Sequence, residues 1–322
     1  MKLKWVAGRQ LMDLAVYLIV RGSIAFLNIL PLAVRILIIV TLIRIVTFFI
    51  PRYFRIAMRN LQLAFPDKDN AWRENIIQRS YYSLARLIVD AARLQHLDEE
   101  WVRTHIEFEA LEEYKQLKAE TAGKGILIAT GHLSSFELLS FGGALLGFPL
   151  NFIVRNFKSP LLDRWWISIR EKHGNKVIDR SGAYKKIVKS LQAGRDVGIL
   201  FDQNVTRKHA VFVDFFGKPA ATTFALGQAA LRTKAVVVVA AIEYLGIEKY
   251  RIHWVKLDFS DLYGDANLNR RQKILKITEA VTNAWEQMIR RSPESWFWMH
   301  RRWKTEPEEG VELGEQGFYY NV

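Results

Sequence analysis

His132 and Glu137 stand with four residues between them in Thr130-Gly-His-Leu-Ser-Ser-Phe-Glu137, and of all the side chains in this sequence they best suit acid–base work. An imidazole titrates near neutral pH, and a carboxylate beside it fixes its tautomer, so such a pair can take a proton from an alcohol. On that reading Glu137 accepts a hydrogen bond from one ring nitrogen of His132 while the other nitrogen acts as the base. The same residues have a structural use. Ser134 as N-cap with Glu137 three residues later makes a capping-box pattern, and a Glu in a first helical turn can serve both purposes.

Other chemistries are poorly served. The chain has no cysteine and no Gly-x-Ser-x-Gly elbow, so covalent nucleophilic catalysis lacks its usual nucleophiles. A histidine base acting directly on a bound alcohol is the economical route that remains. Zero Cys also excludes disulfide scaffolds, iron–sulfur clusters and thiolate zinc sites. The seven histidines are scattered, and no metal-ligand spacing accompanies the candidates, so no metal site is expected. No Gly-rich phosphate loop or dinucleotide fingerprint follows the first strand, so no cofactor is expected either.

These residues need elements to position them. Short apolar runs at Gly125–Thr130, Leu150–Arg155, Val197–Phe201 and Ala235–Glu243 read as buried strands. Helical stretches at 136–146, 161–172, 183–192 and 223–233 lie between or after them. The alternation predicts an α/β fold with a mostly parallel central sheet flanked by helices. Tyr250–Leu257 alternates like an edge strand, and Arg270–Arg291 reads as a long helix ending before Pro293. A helix is expected from Trp72 to Leu94, a turn over Asn60–Asn70 and a polar amphipathic segment over 98–120. Chemistry in open α/β sheets collects at the carboxyl ends of strands, where His132 lies. Arg155 ends a strand and suits bidentate binding of an acceptor phosphate, or an ion pair with Asp163 or Asp202. Asp202, Gln203 and Asn204 follow another strand and suit hydrogen bonding to sugar hydroxyls, or simply a turn. The cluster Trp296, Trp298, His300, Arg301, Arg302 and Trp303 suits packing or lipid contact.

Charge adds a partner. The 322 residues carry a net charge of +13 with half the residues hydrophobic, which excludes a disordered chain and points to anions. Nine Lys/Arg and one acid fall within residues 1–60, the most apolar part of the chain. Leu14–Val34 is long enough to cross a bilayer, although Arg21 and Pro31 interrupt it. The segment is either one imperfect span or a set of helices lying in the interface with snorkelling arginines. A signal peptide fits poorly, because no small-residue cleavage site follows. Basic residues beside apolar helices favour the cytoplasmic face. The expected division is membrane-associated helices over 1–55, an α/β domain over 56–307 and a tail over 308–322. A nucleic-acid-binding role is disfavoured, because the excess charge is tied to apolar helices.

The sequence resembles the lauroyl/myristoyl lipid A acyltransferase family. The resemblance runs from Asn60-Leu61 and Phe65-Pro66 to Pro307. It includes His132 with Glu137, Val154-Arg155, Ser159–Asp163, Arg170 with Gly174, Gly198–Asn204 and Val211–Gly217 through Ala221-Thr222. Its most specific stretch is Pro293-Glu-Ser-Trp-Phe-Trp-Met-His-Arg-Arg-Trp-Lys304. The resemblance implies an inner-membrane enzyme on the cytoplasmic face. It would move a fatty acyl chain from acyl carrier protein or acyl-CoA to a hydroxyl of an anionic glycolipid such as a lipid A precursor. It also puts Arg170 near the active acid, as a candidate for stabilising an oxyanion. Ser134-Ser135-Phe136 departs from the family's common Gly-Asn-Trp, Ser159 stands where Asn is common, and Asp214 where proline is. Other acceptors known in the wider family, phosphatidylinositol mannosides or aminolipids, therefore remain open. A non-catalytic membrane scaffold is disfavoured by the joint presence of His132, Glu137 and Arg170.

Overall fold

The structure, a computed structural model, describes residues 2–121 and 123–309, with the side chains of residues 2–9 left aside. Residues 310–322 of the expected tail lie outside the described residues. In chain order the helices are α1 (Lys2–Ile29), α2 (Leu32–Phe49), α3 (Arg52–Ala64), α4 (Asn70–Arg93), α5 (Glu99–His105) and α6 (Leu111–Glu120). They continue with α7 (Phe136–Leu145), α8 (Pro160–Arg170), α9 (Ala183–Gln192), α10 (Ala225–Thr233), α11 (Ser260–Gly264) and α12 (Arg270–Arg291). The strands are β1 (Ile106–Phe108), β2 (Leu127–Thr130), β3 (Leu150–Val154), β4 (Lys176–Asp179), β5 (Asp196–Leu200), β6 (Ala210–Phe215), β7 (Lys218–Thr223), β8 (Val237–Gly246) and β9 (Lys249–Leu257).

Seven strands form one sheet in the order β1-β9-β8-β2-β5-β3-β4, with β6 and β7 as a separate hairpin. Strands β8, β2, β5, β3 and β4 run parallel; β9 returns antiparallel to β8, and β1 runs with β9. The central strands are apolar throughout because helices cover both faces. Val237, Val238 and Val239 of β8 and Leu127 and Ala129 of β2 are all buried. The principal core joins these strands to Ile277, Val281 and Trp285 of α12 and to Leu61 of α3.

Three expectations are corrected. Tyr250–Leu257 is not an edge strand, because the three-residue β1 pairs outside β9. The turn expected from Asn60 begins only after Ala64, since α3 carries Leu61 and Ala64 into the core. The capping box at Ser134 does not form. Ser135 is the N-cap of α7 and makes no side-chain cap bond, while Ser134 takes the left-handed φ of 51°.

Both N-terminal helices are held against the body. Ser159 at the start of α8 donates to the Asp13 carboxylate, Arg21 lies 4.8 Å from the Trp165 ring, and Asn28 donates to the Ala92 carbonyl at 3.0 Å. Ile36, Ile39 and Val40 of α2 pack on Ala85 and Val89 of α4. The outer faces stay bare, with Leu18, Ile19, Phe26 and Ile29 of α1 and Leu37, Phe48 and Phe49 of α2 exposed. By length and apolarity, Gln10–Ile29 and Leu32–Phe49 are each long enough to cross a bilayer.

Candidate active site

Strands β2 and β5 end side by side, with Thr130 opposite Leu200. Past those ends the chain leaves the sheet, and His132 and Asp202 meet. The His132 backbone N–H donates to Asp202 Oδ2 at 2.7 Å, and the ring Nδ1 lies 2.8 Å from Oδ1. A carboxylate only accepts, so Nδ1 carries the hydrogen and Nε2 of the neutral ring is left as the acceptor. Gln203 Nε2 lies 3.1 Å from that nitrogen. Asp202 is 2 % exposed, and Trp296 Nε1 donates to its Oδ2 at 2.8 Å. Burial would raise the Asp202 pKa, but the His132 charge and these hydrogen bonds outweigh it and hold the carboxyl below its ordinary range. Burial likewise opposes a charged His132, yet the charge and hydrogen bond of Asp202, with the charge of Glu137 added, raise the imidazole above its usual value.

Glu137 is therefore not the acceptor for the His132 ring. It projects from the first turn of α7 and pairs with Arg170 from the last turn of α8. Arg170 Nε donates to Oε2 at 3.1 Å, and Nη2 donates to Oε1. The two-pronged geometry suits a guanidinium and a carboxylate. Trp166 and Phe152 lie against the guanidinium, at 5.3 and 5.9 Å from their ring centres.

His132, Glu137, Arg170 and Gln203 all line one cavity of about 460 Å³. Arg155 and Arg180 line it as well, and neither forms an ion pair among the described residues. The ion pair of Arg155 with Asp163 or Asp202 does not form, because Asp163 instead accepts from Asn156 and the Phe157 backbone. From His132 the cavity runs along one face of the sheet past Ile128 and Ala240. Phe108, Tyr114, Phe148 and Trp254 line it towards the strand starts. These four rings pack on one another, with Tyr114 centred 5.0 Å from Phe148 and 5.2 Å from Trp254. The cavity is thus polar at one end and hydrocarbon-like at the other. A second, narrower cavity of about 190 Å³ reaches His132 from the side of α4, lined by Leu84, Leu87, Phe136 and Met299.

Two of the residues expected to bind substrate are occupied inside the protein. Both Asp202 oxygens are used by His132 and Trp296. Asn204 donates its backbone N–H to His300 Nε2 at 2.8 Å and exchanges side-chain hydrogen bonds with Thr305. Burial drives the His300 pKa down to about 4, which keeps that ring neutral and able to accept. The Trp and Arg cluster divides, with Arg301 exposed and the larger part of the cluster packed inside. Trp296, Trp298 and Arg302 are buried, and Arg302 donates to the Ala221 carbonyl and to Thr222. This segment also clamps the His132 loop, through Ser134 N to the Ser295 carbonyl at 2.8 Å and Phe297 N to the His132 carbonyl at 3.1 Å.

Three contributors were hidden from sequence reasoning. They are the pairing of Asp202 with His132, the donation from Trp296, and the Thr130 hydroxyl, which is buried without a protein partner on the wall of the larger cavity. Only the strand register points to the first, and only the long-range fold to the second. Among the described residues, no cluster of three or more His, Asp and Glu side chains could hold a metal ion.

Comparison with known proteins gives the family. The family profile described as bacterial lipid A biosynthesis acyltransferase matches residues 9–305. The lipid A biosynthesis palmitoleoyltransferase of Escherichia coli (strain K12) is 26 % identical over 276 residues, covering 84 % of this chain and 83 % of the relative. A lipid A biosynthesis acyltransferase of Haemophilus influenzae (strain ATCC 51907 / DSM 11121 / KW20 / Rd) is 28 % identical over 236 residues, 72 % of each chain. The E. coli (strain K12) lauroyltransferase is 25 % identical over 271 residues, 81 % of this chain and 82 % of the relative. A match over nearly the whole described fold identifies the chain as a member of the bacterial lipid A biosynthesis acyltransferase family, and so as an acyltransferase.

Proposed function

We propose that the protein transfers a fatty acyl chain from a thioester, carried by acyl carrier protein or coenzyme A, to a hydroxyl of a lipid A-type glycolipid. The observation that carries this reading is a histidine whose oriented Nε2, met only by the Gln203 amide, lies at the polar end of a cavity whose other end is aromatic and aliphatic. His132 Nε2 takes the proton of the acceptor hydroxyl, displacing the Gln203 amide, as the oxygen attacks the thioester carbonyl carbon. The tetrahedral intermediate collapses with cleavage of the carbon–sulfur bond, and the imidazolium returns its proton to the leaving thiolate. No covalent acyl-enzyme forms, and the thioester is the only co-reactant this sequence requires.

Asp202 acts through His132, by fixing its tautomer and stabilising the imidazolium. General-base assistance of this kind is typically worth about 10²–10⁴-fold. Glu137 and Arg170 wall the same site. The guanidinium brings positive charge to where the carbonyl oxygen becomes negative, and the carboxylate holds it in place. This replaces a direct His132–Glu137 hydrogen bond in the mechanism. The hydrocarbon end of the cavity suits the donor chain. Arg155 at its rim suits a phosphate of either substrate.

Membrane attachment through α1 and α2 belongs to the same proposal. The ties of Asp13, Arg21 and Asn28 to the body support helices lying in the bilayer interface with bare outer faces in lipid, and the basic residues beside them favour the cytoplasmic face. Lipid mass spectrometry of cells carrying only His132→Ala tests the reaction: acylation of the glycolipid should stop, and an unchanged lipid profile would sink it. Trypsin treatment of intact spheroplasts tests the orientation, since the body should be protected from outside.

A further inference from the structure

A third cavity, of about 590 Å³, opens where α2 hands over to α3. It shares no lining residue with the reaction cavity. Arg52, Arg55 and Arg59 recur at helical spacing along one wall, and Arg301 and Lys304 from the C-terminal segment line it too. None of these five cations makes an ion pair among the described residues, and Glu306 is the single carboxylate in the lining. Like charges at this spacing on a helix repel, so the arrangement costs stability unless an anion relieves it.

What kind of anion follows from the neighbours. The last residues of α2 and the turn after it leave Phe48, Phe49 and Ile50 exposed, with Phe48 at 80 % and Phe49 at 76 %. Large apolar side chains beside a cationic hollow match an amphiphile whose phosphate enters the hollow and whose tails run along α2. We propose that this cavity is a headgroup site for an anionic membrane phospholipid, separate from the catalytic site. Asn60 of the same helix ties this wall to the C-terminal segment, donating to the Trp298 and His300 carbonyls at 2.8 and 2.6 Å. His300 in turn accepts from Asn204, beside Gln203. A bound headgroup would thus press on the segment that holds Trp296 against Asp202.

The test is flotation of the full chain with vesicles of phosphatidylcholine, with and without phosphatidylglycerol. It is read as binding rather than turnover, so its failure leaves the acyl-transfer reading untouched. The triple variant Arg52→Gln/Arg55→Gln/Arg59→Gln should bind the phosphatidylglycerol vesicles at least about tenfold more weakly. The triple variant Lys185→Gln/Lys186→Gln/Lys189→Gln removes the same charge from α9 and should change binding less than about twofold. Arg301→Gln/Lys304→Gln, on the other wall, should weaken binding as well, which guards against misfolding of α3. Equal losses in the α3 and α9 variants would reduce the effect to net charge and overturn the site. Unchanged vesicle binding, with loss only of thermal stabilisation by inorganic phosphate or of binding to acidic acyl carrier protein, would overturn the lipid assignment.

Discussion

His132 and Asp202 lie the same two residues beyond a register pair of the sheet, Thr130 and Leu200, and their side chains meet at 2.8 Å. Parallel pairing thus carries a constant offset out of β2 and β5 into the loops that follow. The histidine is positioned by backbone geometry as much as by its own neighbours. Its partner comes from the adjacent strand rather than from the next helical turn.

Replacing His132 with Ala should lower acyl transfer by about 10²–10⁴-fold, the usual worth of a general base. The variant should still bind the donor, because the hydrocarbon cavity is unchanged. Single-turnover assays with a radiolabelled acyl thioester would separate the two effects. Wild-type turnover in the variant would remove His132 from the reaction.

The pH profile carries a sign. The base must be neutral, so activity falls as pH drops through the His132 pKa. Burial pulls that pKa down, but Asp202 and then Glu137 outweigh it, so the acid limb should lie above the ordinary imidazole value. Asp202→Asn removes the larger favourable influence and should move the limb to lower pH while reducing the plateau rate. A limb that stays in place would mean that another group titrates.

The Glu137–Arg170 pair should behave as one unit. The two side chains are mostly buried, at 12 % and 16 % exposed, so removing either leaves an uncompensated charge at a cost of about 1–3 kcal/mol or more. A double-mutant cycle with Glu137→Gln and Arg170→Gln, followed by denaturant unfolding, should give a coupling of about 0.5–3 kcal/mol. Additive effects would show that the two do not act together.

Much of this architecture was legible because it rests on local pattern. The apolar runs at Leu127–Thr130 and Val237–Ile242 and the helix Arg270–Arg291 carry their own signals, and the structure repeats them closely. The misses are non-local or short. Ile106–Phe108 has three residues and becomes a strand only because β9 offers it a ladder. The β6–β7 hairpin turns at Phe216 and Gly217 with φ of 57° and 72°. An aromatic in that conformation hides the usual turn signal. Glu137 sits in the right cavity but bonds a different residue, since the left-handed Ser134 and the arrival of Asp202 decide where the imidazole points. Sequence spacing gave the residues of the site and left their pairing to the sheet.

Acyl chain length should respond to the aromatic floor. Phe148→Ala enlarges the far end of the cavity, and the preferred donor should lengthen. Ala240→Leu fills the same channel, and the preference should shorten. Competition between acyl donors of different length, read by mass spectrometry of the product, checks both. The same preference in both variants would place the chain elsewhere, with the narrower cavity beside α4 as the alternative.

Gly131 permits the close approach of the two strand ends. A Cβ there would lie 2.5 Å from the Asp202 carboxyl carbon and 2.6 Å from the Trp285 ring, both buried. Gly131→Ala should therefore cost about 1–3 kcal/mol in denaturant unfolding and lose activity beyond that. Unaltered stability and rate would mean that the loop accommodates a methyl group.

The donation from Trp296 to Asp202 has a consequence for the timing of activity in a growing polypeptide. Every strand of the main sheet has been synthesised by Leu257, yet the segment that clamps the His132 loop begins at Pro293. A chain still being made can pair His132 with Asp202 before Trp296 and the clamping segment arrive. On the proposed reaction, full activity would follow only once the segment from Pro293 has packed against the His132 loop.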